Sequence, residues 1–169
     1  NIGAHFGVLL VREGNMNFEI ATFRTDGDYK DNRRPESVCF TTPEEDAFRR
    51  DFTINGLFKD PLSGKIHDYV DGKKDLEQKI IRAIGNPEDR FKEDALRLLR
   101  AVRFSTVLNF KIETNTWNAI KENSHLLKNI SVERITQEFN KIILHPNRQK
   151  GLDLLVESRL IEHIIPEIL

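Results

Sequence analysis

Arg90-Phe91-Lys92-Glu93-Asp94-Ala95-Leu96-Arg97-Leu98-Leu99-Arg100-Ala101-Val102-Arg103-Phe104 is the stretch whose periodicity decides how the rest of this chain is read. At about 100° per residue, Ala95, Leu98, Leu99 and Val102 fall on one stripe, while Asp94, Arg97 and Arg100 gather on another side. Asn86-Pro87 supplies an N-cap and a proline for the first turn, so the spacing predicts one helix from there to about Val107. One face of such a helix packs, and the other offers carboxylate and guanidinium groups. A solvated helix with i,i+3 ion pairs has the same spacing, and periodicity alone does not separate the two.

Downstream the chain reads as helical throughout. Thr114-Asn115, Ser131 and Pro146-Asn147 each carry a helix-start signal, and helical patterning begins at about Asp75. Upstream it reads differently. Phe6 to Val11 and Asn17 to Phe23 are strand-like, with Gly14-Asn15 as the turn of a hairpin. Arg24 to Phe40 is charged and rich in Gly, Asp and Asn, which predicts a long loop. Thr42-Pro43-Glu44-Glu45 predicts a capped helix running to about Leu57. Asp60 to Gly64 is a turn, flanked by Leu57-Phe58 and Ile66 to Tyr69 as a short hairpin. A β-rich part to about residue 80 followed by an all-helical part gives an α+β fold class.

The bulk composition bounds function without choosing it. With 169 residues, 38% of them hydrophobic, the chain can bury a core of one domain or two small ones. Lys and Arg number 26 against 27 Asp and Glu, so any basic surface must be local. One cysteine, Cys39, excludes an intrachain disulfide framework and a Cys-cluster zinc site, and this predicts a cytoplasmic protein. No apolar run approaches the ~18 residues of a membrane span. His5, His67, His125, His145 and His163 show no metal-ligand spacing. The sequence starts without Met inside a strand-like segment and stops without a polar tail, which predicts a piece of a longer chain.

Chemistry concentrates in three places. Asp94 beside Arg97 sets one acceptor next to a rigid fork of donors. Cytosine and adenine both present an amino donor next to a ring-nitrogen acceptor, so the pair can read either base. Guanine and uracil present the reverse order and would leave buried polar groups unpaired, at about 1–3 kcal/mol each. Arg50, Asp51 and Asn55 fall within about one turn on the predicted helix, supplying a phosphate fork, an acceptor and an amide, although Arg49-Arg50-Asp51 alone reads equally as a surface ion cluster. Glu19, on the second strand, is an acidic residue of a half-exposed strand, which usually faces solvent and less often supports a metal.

Glu93-Asp94-x-x-Arg97-x-x-Arg100-Ala101-x-Arg103-Phe104 resembles the nucleotide-recognition helix of the class II tRNA CCA-adding enzymes, in the family that includes bacterial poly(A) polymerases. Four further blocks match that family in order. Arg49-Arg50-Asp51-Phe52-Thr53-Ile54-Asn55 is similar to its ribose- and triphosphate-binding motif, and Asp71-Gly72-Lys73-Lys74-Asp75-Leu76 to the turn joining head and neck. Glu133-Arg134-Ile135 is similar to its neck-stabilising helix, and Phe18 to Arg24 to the strand carrying its third catalytic carboxylate.

The resemblance implies a polymerase-beta-like nucleotidyltransferase head, truncated, over 1–80, a helical neck over 81–145 and the start of a helical body over 146–169. It implies addition of C and A from CTP and ATP to an RNA 3′ end, tRNA above all, with Mg²⁺; poly(A) synthesis and partial CC or A addition use the same base-reading helix. It assigns Glu19 to catalysis and metal support, Arg50, Asp51, Asn55, Asp94, Arg97 and Arg100 to nucleotide binding, and Asp31 and Arg33 to a flexible loop. The family's Asp-x-Asp metal pair and Gly-Gly turn are not in this sequence, which implies that the chain alone is inactive. A non-catalytic RNA- or nucleotide-binding fragment is the alternative from another class.

Overall fold

The computed structural model describes residues 8–26 and 38–168. The first element pair is the hairpin expected from the sequence. Strand β1 (Val8–Glu13) pairs antiparallel with β2 (Met16–Ala21) around Gly14-Asn15, with Leu9 opposite Ile20 and Leu10 opposite Glu19. Strands β3 (Arg24–Asp26) and β4 (Val38–Phe40) form a second antiparallel pair, so the ends of the predicted loop are drawn together as strands. Asp31 and Arg33 lie outside the described residues.

The helix predicted from Thr42 to Leu57 is shorter than expected. Helix α1 (Pro43–Phe48) opens as read, with the Thr42 hydroxyl accepting from Glu45 N, but Phe52 is extended and a 3₁₀ turn covers Thr53–Asn55. Two competing interactions end the helix. The Asp51 carboxylate captures the N–H of Phe52, and the backbone here pairs with a distant strand through Thr53 N to Arg82 O and Ile84 N to Asp51 O. Phe52 is thereby placed in the core with no exposed surface. Strands β5 (Leu57–Lys59) and β6 (Ile66–Asp68) then form the expected hairpin.

Helix α2 (Gly72–Gln78) leads into β7 (Ile80–Ile81), which pairs in parallel with β8 (Lys111–Ile112) from the helical half. Between them lies a second correction. The single helix predicted from Asn86 to Val107 is two helices, α3 (Pro87–Glu93) and α4 (Leu96–Leu108). Asp94 is extended at the break, with φ of −143°, and its Oδ1 accepts from Leu96 N. A short acceptor side chain that bonds a backbone N–H two residues on competes with the helical ladder and starts a new helix. The apolar stripe read from the sequence holds, since Ala95, Leu98, Leu99 and Val102 are all buried.

Helices α5 (Thr114–Asn123), α6 (Val132–Ile143) and α7 (Arg148–Glu157) complete the bundle, with α6 and α7 packed on α4 and α5 on α3. Gly151 lets α7 approach closely, for a Cβ there would lie 2.4 Å from Ile142 Cγ2 and 2.7 Å from Thr106 Oγ1. Thr106 has no exposed surface, so the clash cannot be relieved outward. Gly151→Ala is expected to destabilise the protein by about 2 kcal/mol, the scale of an overpacked core, and urea unfolding measures it.

Candidate nucleotide-binding site

A cleft of about 540 Å³ opens where the Arg49-Asn55 segment faces the α3–α4 break. Arg49, Arg50, Asp51 and Asn55 line one side, Asp94, Leu96, Arg97, Arg100 and Phe104 the other, and Arg134 of α6 closes it. Five arginines and two aspartates line it, and each arginine is ion-paired, Arg49 and Arg50 sharing Asp46, Arg97 with Glu93, Arg100 with Asp51 and Arg134 with Asp94, which leaves a modest excess of positive charge. Such a surface suits a polyanion with a recognisable base.

Each side chain is held by a specific partner. Asp51 accepts from Asn55 Nδ2 at 2.9 Å through Oδ1 and from Arg100 Nε at 2.8 Å through Oδ2. Arg50 donates Nε to Asp46 Oδ2 at 3.0 Å and Nη1 to the carbonyl of Asn55 at 2.8 Å, with its guanidinium carbon 4.5 Å from the Phe58 ring centroid. The three residues read as one helical turn are brought together by a turn and a 3₁₀ segment instead.

Asp94 and Arg97 share the cleft without forming the i,i+3 pair that helical spacing suggests. Asp94 Oδ2 accepts from Arg134 Nη2 at 2.8 Å, while Arg97 Nη1 donates to Glu93 Oε2 at 2.6 Å and to Arg90 O at 3.0 Å. Arg97 Nη2 reaches the carbonyl of Arg49 at 3.2 Å, tying the helical half to the other wall. With five N–H groups on a guanidinium and three engaged, two on Arg97 remain to donate to a ligand. Asp94 likewise keeps free lone pairs, since an ionised carboxylate has about four acceptor sites.

A family model described as the poly A polymerase head domain matches residues 1–82, and one described as a probable RNA and SrmB-binding site of polymerase A matches residues 109–169. A CCA-adding enzyme of Ligilactobacillus salivarius is 50% identical over 162 residues, covering 95% of this chain and 40% of that protein. The Bacillus subtilis CCA-adding enzyme is 45% identical over 165 residues, covering 97% and 41%. The chain belongs to the CCA-adding enzyme and poly(A) polymerase family. It spans about two fifths of the length of these curated relatives.

Solved structures of the family agree. The Bacillus stearothermophilus CCA-adding enzyme in complex with CTP superimposes with a TM-score of 0.84 at 40% identity, over 94% of this chain and 38% of that one. A tRNA nucleotidyltransferase complexed with a primer tRNA and an incoming ATP analogue gives 0.78 at 33% identity, over 95% and 45%. The fold is therefore the family's α+β nucleotidyltransferase head with its helical continuation.

The family's metal dependence is only thinly represented in these residues. Glu19 is exposed on β2, and the described residues contain no group of three or more His, Cys, Asp or Glu able to hold a metal ion. A lone carboxylate does not make a magnesium site. Two contributors escaped the sequence reading as site residues. Arg134 meets Asp94 across 40 positions, a pairing that no local spacing announces. Asp46 is 1% exposed and stands three and four residues before Arg49 and Arg50, a helical spacing that could have flagged it.

Proposed function

We propose that this chain carries the nucleotide-selecting site of a template-independent RNA nucleotidyltransferase that adds C and A to the 3′ end of tRNA in the cytoplasm. The reading rests on one observation: Asp94 and Arg97, each fixed by other partners and each with spare hydrogen-bonding capacity, line one cationic cleft with Arg50 and Asn55. Asp94 accepts the exocyclic amino hydrogen of cytosine or adenine, and Arg97 donates to the ring nitrogen beside it. Arg50 holds triphosphate oxygens, Asn55 bonds a ribose hydroxyl, and Asp51 with Arg100 braces the two walls. Glu19 would offer one carboxylate to magnesium, whose chemistry there would be activation of the RNA 3′ hydroxyl, and further carboxylates beyond the described residues would have to complete that site. Asp31 and Arg33 adapt the site between C and A, as the resemblance implies.

The test uses the full-length protein and tRNA ending before its CCA. Radiolabel from CTP and then ATP should enter the RNA, with magnesium required and with GTP and UTP at least about 100-fold poorer, the discrimination expected when two buried groups go unpaired. Incorporation of all four nucleotides alike would overturn the reading. Long A tracts without C would redirect it to poly(A) synthesis.

A further inference from the structure

Asp46 belongs to none of the motifs that carry the base-reading argument, yet it is the most enclosed carboxylate beside the cleft, at 1% exposure. Its Oδ1 accepts from Arg49 Nε at 2.9 Å and Nη2 at 2.7 Å, and from the backbone N–H of Arg24 at 3.1 Å. Its Oδ2 accepts from Arg50 Nε, and Arg50 Nη2 also lies 3.0 Å away. One carboxylate thus clasps two consecutive guanidiniums and bonds the strand that follows β2. Burial alone would raise its pKa, but the hydrogen bonds from Arg49, the Arg24 backbone and Arg50 outweigh burial and hold the carboxyl below the usual range. It is a fixed anion in the folded protein.

Arg50 lines the cleft, and the clasp leaves it spare donors. Of the five N–H groups on Arg50, Asp46 and the Asn55 carbonyl engage at most three, and the Phe58 ring covers one side of the guanidinium. A long arginine side chain free in solution loses much rotamer entropy when it binds a phosphate; one already held in place loses little. We propose that Asp46 is a positioning residue for the triphosphate: it pre-sets Arg50 so that the incoming nucleotide's β- and γ-phosphates meet an ordered fork. The inference rests on the assignment of Arg50 to the triphosphate, and it gives Asp46 no contact with the nucleotide.

The phosphates separate this role from a structural one. Binding of CTP and of CMP to the full-length protein is measured by calorimetry for wild type, Asp46→Asn, Arg50→Ala and the double variant. Asp46→Asn should weaken CTP about tenfold, the worth of one charge-assisted hydrogen bond, while CMP binding stays within about twofold. In the double variant CTP should bind as in Arg50→Ala alone, because the effect of Asp46 runs through that arginine. Asp46→Glu keeps the anion that balances the two guanidiniums and guards against simple unfolding; it should weaken CTP about threefold, again sparing CMP. Proportionate loss of CTP and CMP in both Asp46 variants, or additive losses in the double variant, would overturn the proposal. If Arg50→Ala itself leaves the CTP to CMP ratio unchanged, the assignment of Arg50 has failed, a result distinct from failure of the Asp46 variants with Arg50→Ala behaving as expected.

Discussion

Asp94→Ala should abolish the preference for CTP and ATP, weakening both by about 100-fold while changing GTP and UTP little. The size follows from what the side chain does in three directions. On the proposed reading it accepts the exocyclic amino hydrogen; it starts α4 by accepting from Leu96 N; and it holds Arg134. Alanine removes the acceptor and leaves Arg134 without its counter-charge, so a small loss of stability accompanies the loss of selectivity. Arg134→Ala tests the brace separately. Asp94 would keep its bond to Leu96 N but lose the guanidinium that fixes Oδ2, and discrimination should fall about tenfold with the cap intact. Equilibrium binding of the four triphosphates to the full-length protein reads both variants. Retained discrimination in Asp94→Ala would show that another group reads the base.

The site was legible in the sequence as a set of residues but not as a geometry. The apolar stripe Ala95, Leu98, Leu99 and Val102 was readable because burial repeats with the helical period, and the Gly14-Asn15 hairpin because strand alternation and turn chemistry are local. Both corrected helices share one cause, an aspartate side chain that competes for a backbone N–H, joined at Asp51 by backbone pairing with the segment around Arg82 and Ile84. Asp51 takes that of Phe52 and Asp94 that of Leu96, and each interruption re-aims the neighbouring side chains into the cleft. Helix-period patterning continues through both interruptions, so periodicity alone could not show them. Arg100 to Asp51, which joins the walls, and Arg134 to Asp94, which ties α6 to one of them, span 49 and 40 positions and depend on the packing of α4 and α6. The resemblance assigned Asp51, Asp94 and Arg100 to nucleotide binding where spacing could not join them, while Arg134 enters the site only through the fold.

Asp75→Ala should destabilise the protein by about 3 kcal/mol and weaken CTP binding as well, although Asp75 does not line the cleft. The carboxylate is 2% exposed and accepts from Thr53 Oγ1 at 2.8 Å and from Arg82 Nε at 2.9 Å. Thr53 is itself buried in the segment that carries Asp51 and Asn55, and Arg82 follows β7, next to the parallel pairing with β8. Removing the carboxylate leaves a buried hydroxyl without its acceptor; Arg82, with 40% of its side chain exposed, can rehydrate, which holds the cost below that of a fully buried pair. Gly72 sharpens the dependence, because a Cβ there would lie 2.3 Å from the carbonyl of Thr53, so α2 packs on this segment with no slack. Asp75→Asn, which keeps an acceptor for Thr53 but not the charge for Arg82, should cost about 1 kcal/mol. Urea unfolding and CTP titration of the same samples decide the matter. Stability lost with CTP affinity unchanged would mean that Thr53 keeps its place without Asp75. Parallel losses, graded from Asn to Ala, would mean that this buried carboxylate carries the geometry of the nucleotide site from the junction beneath it.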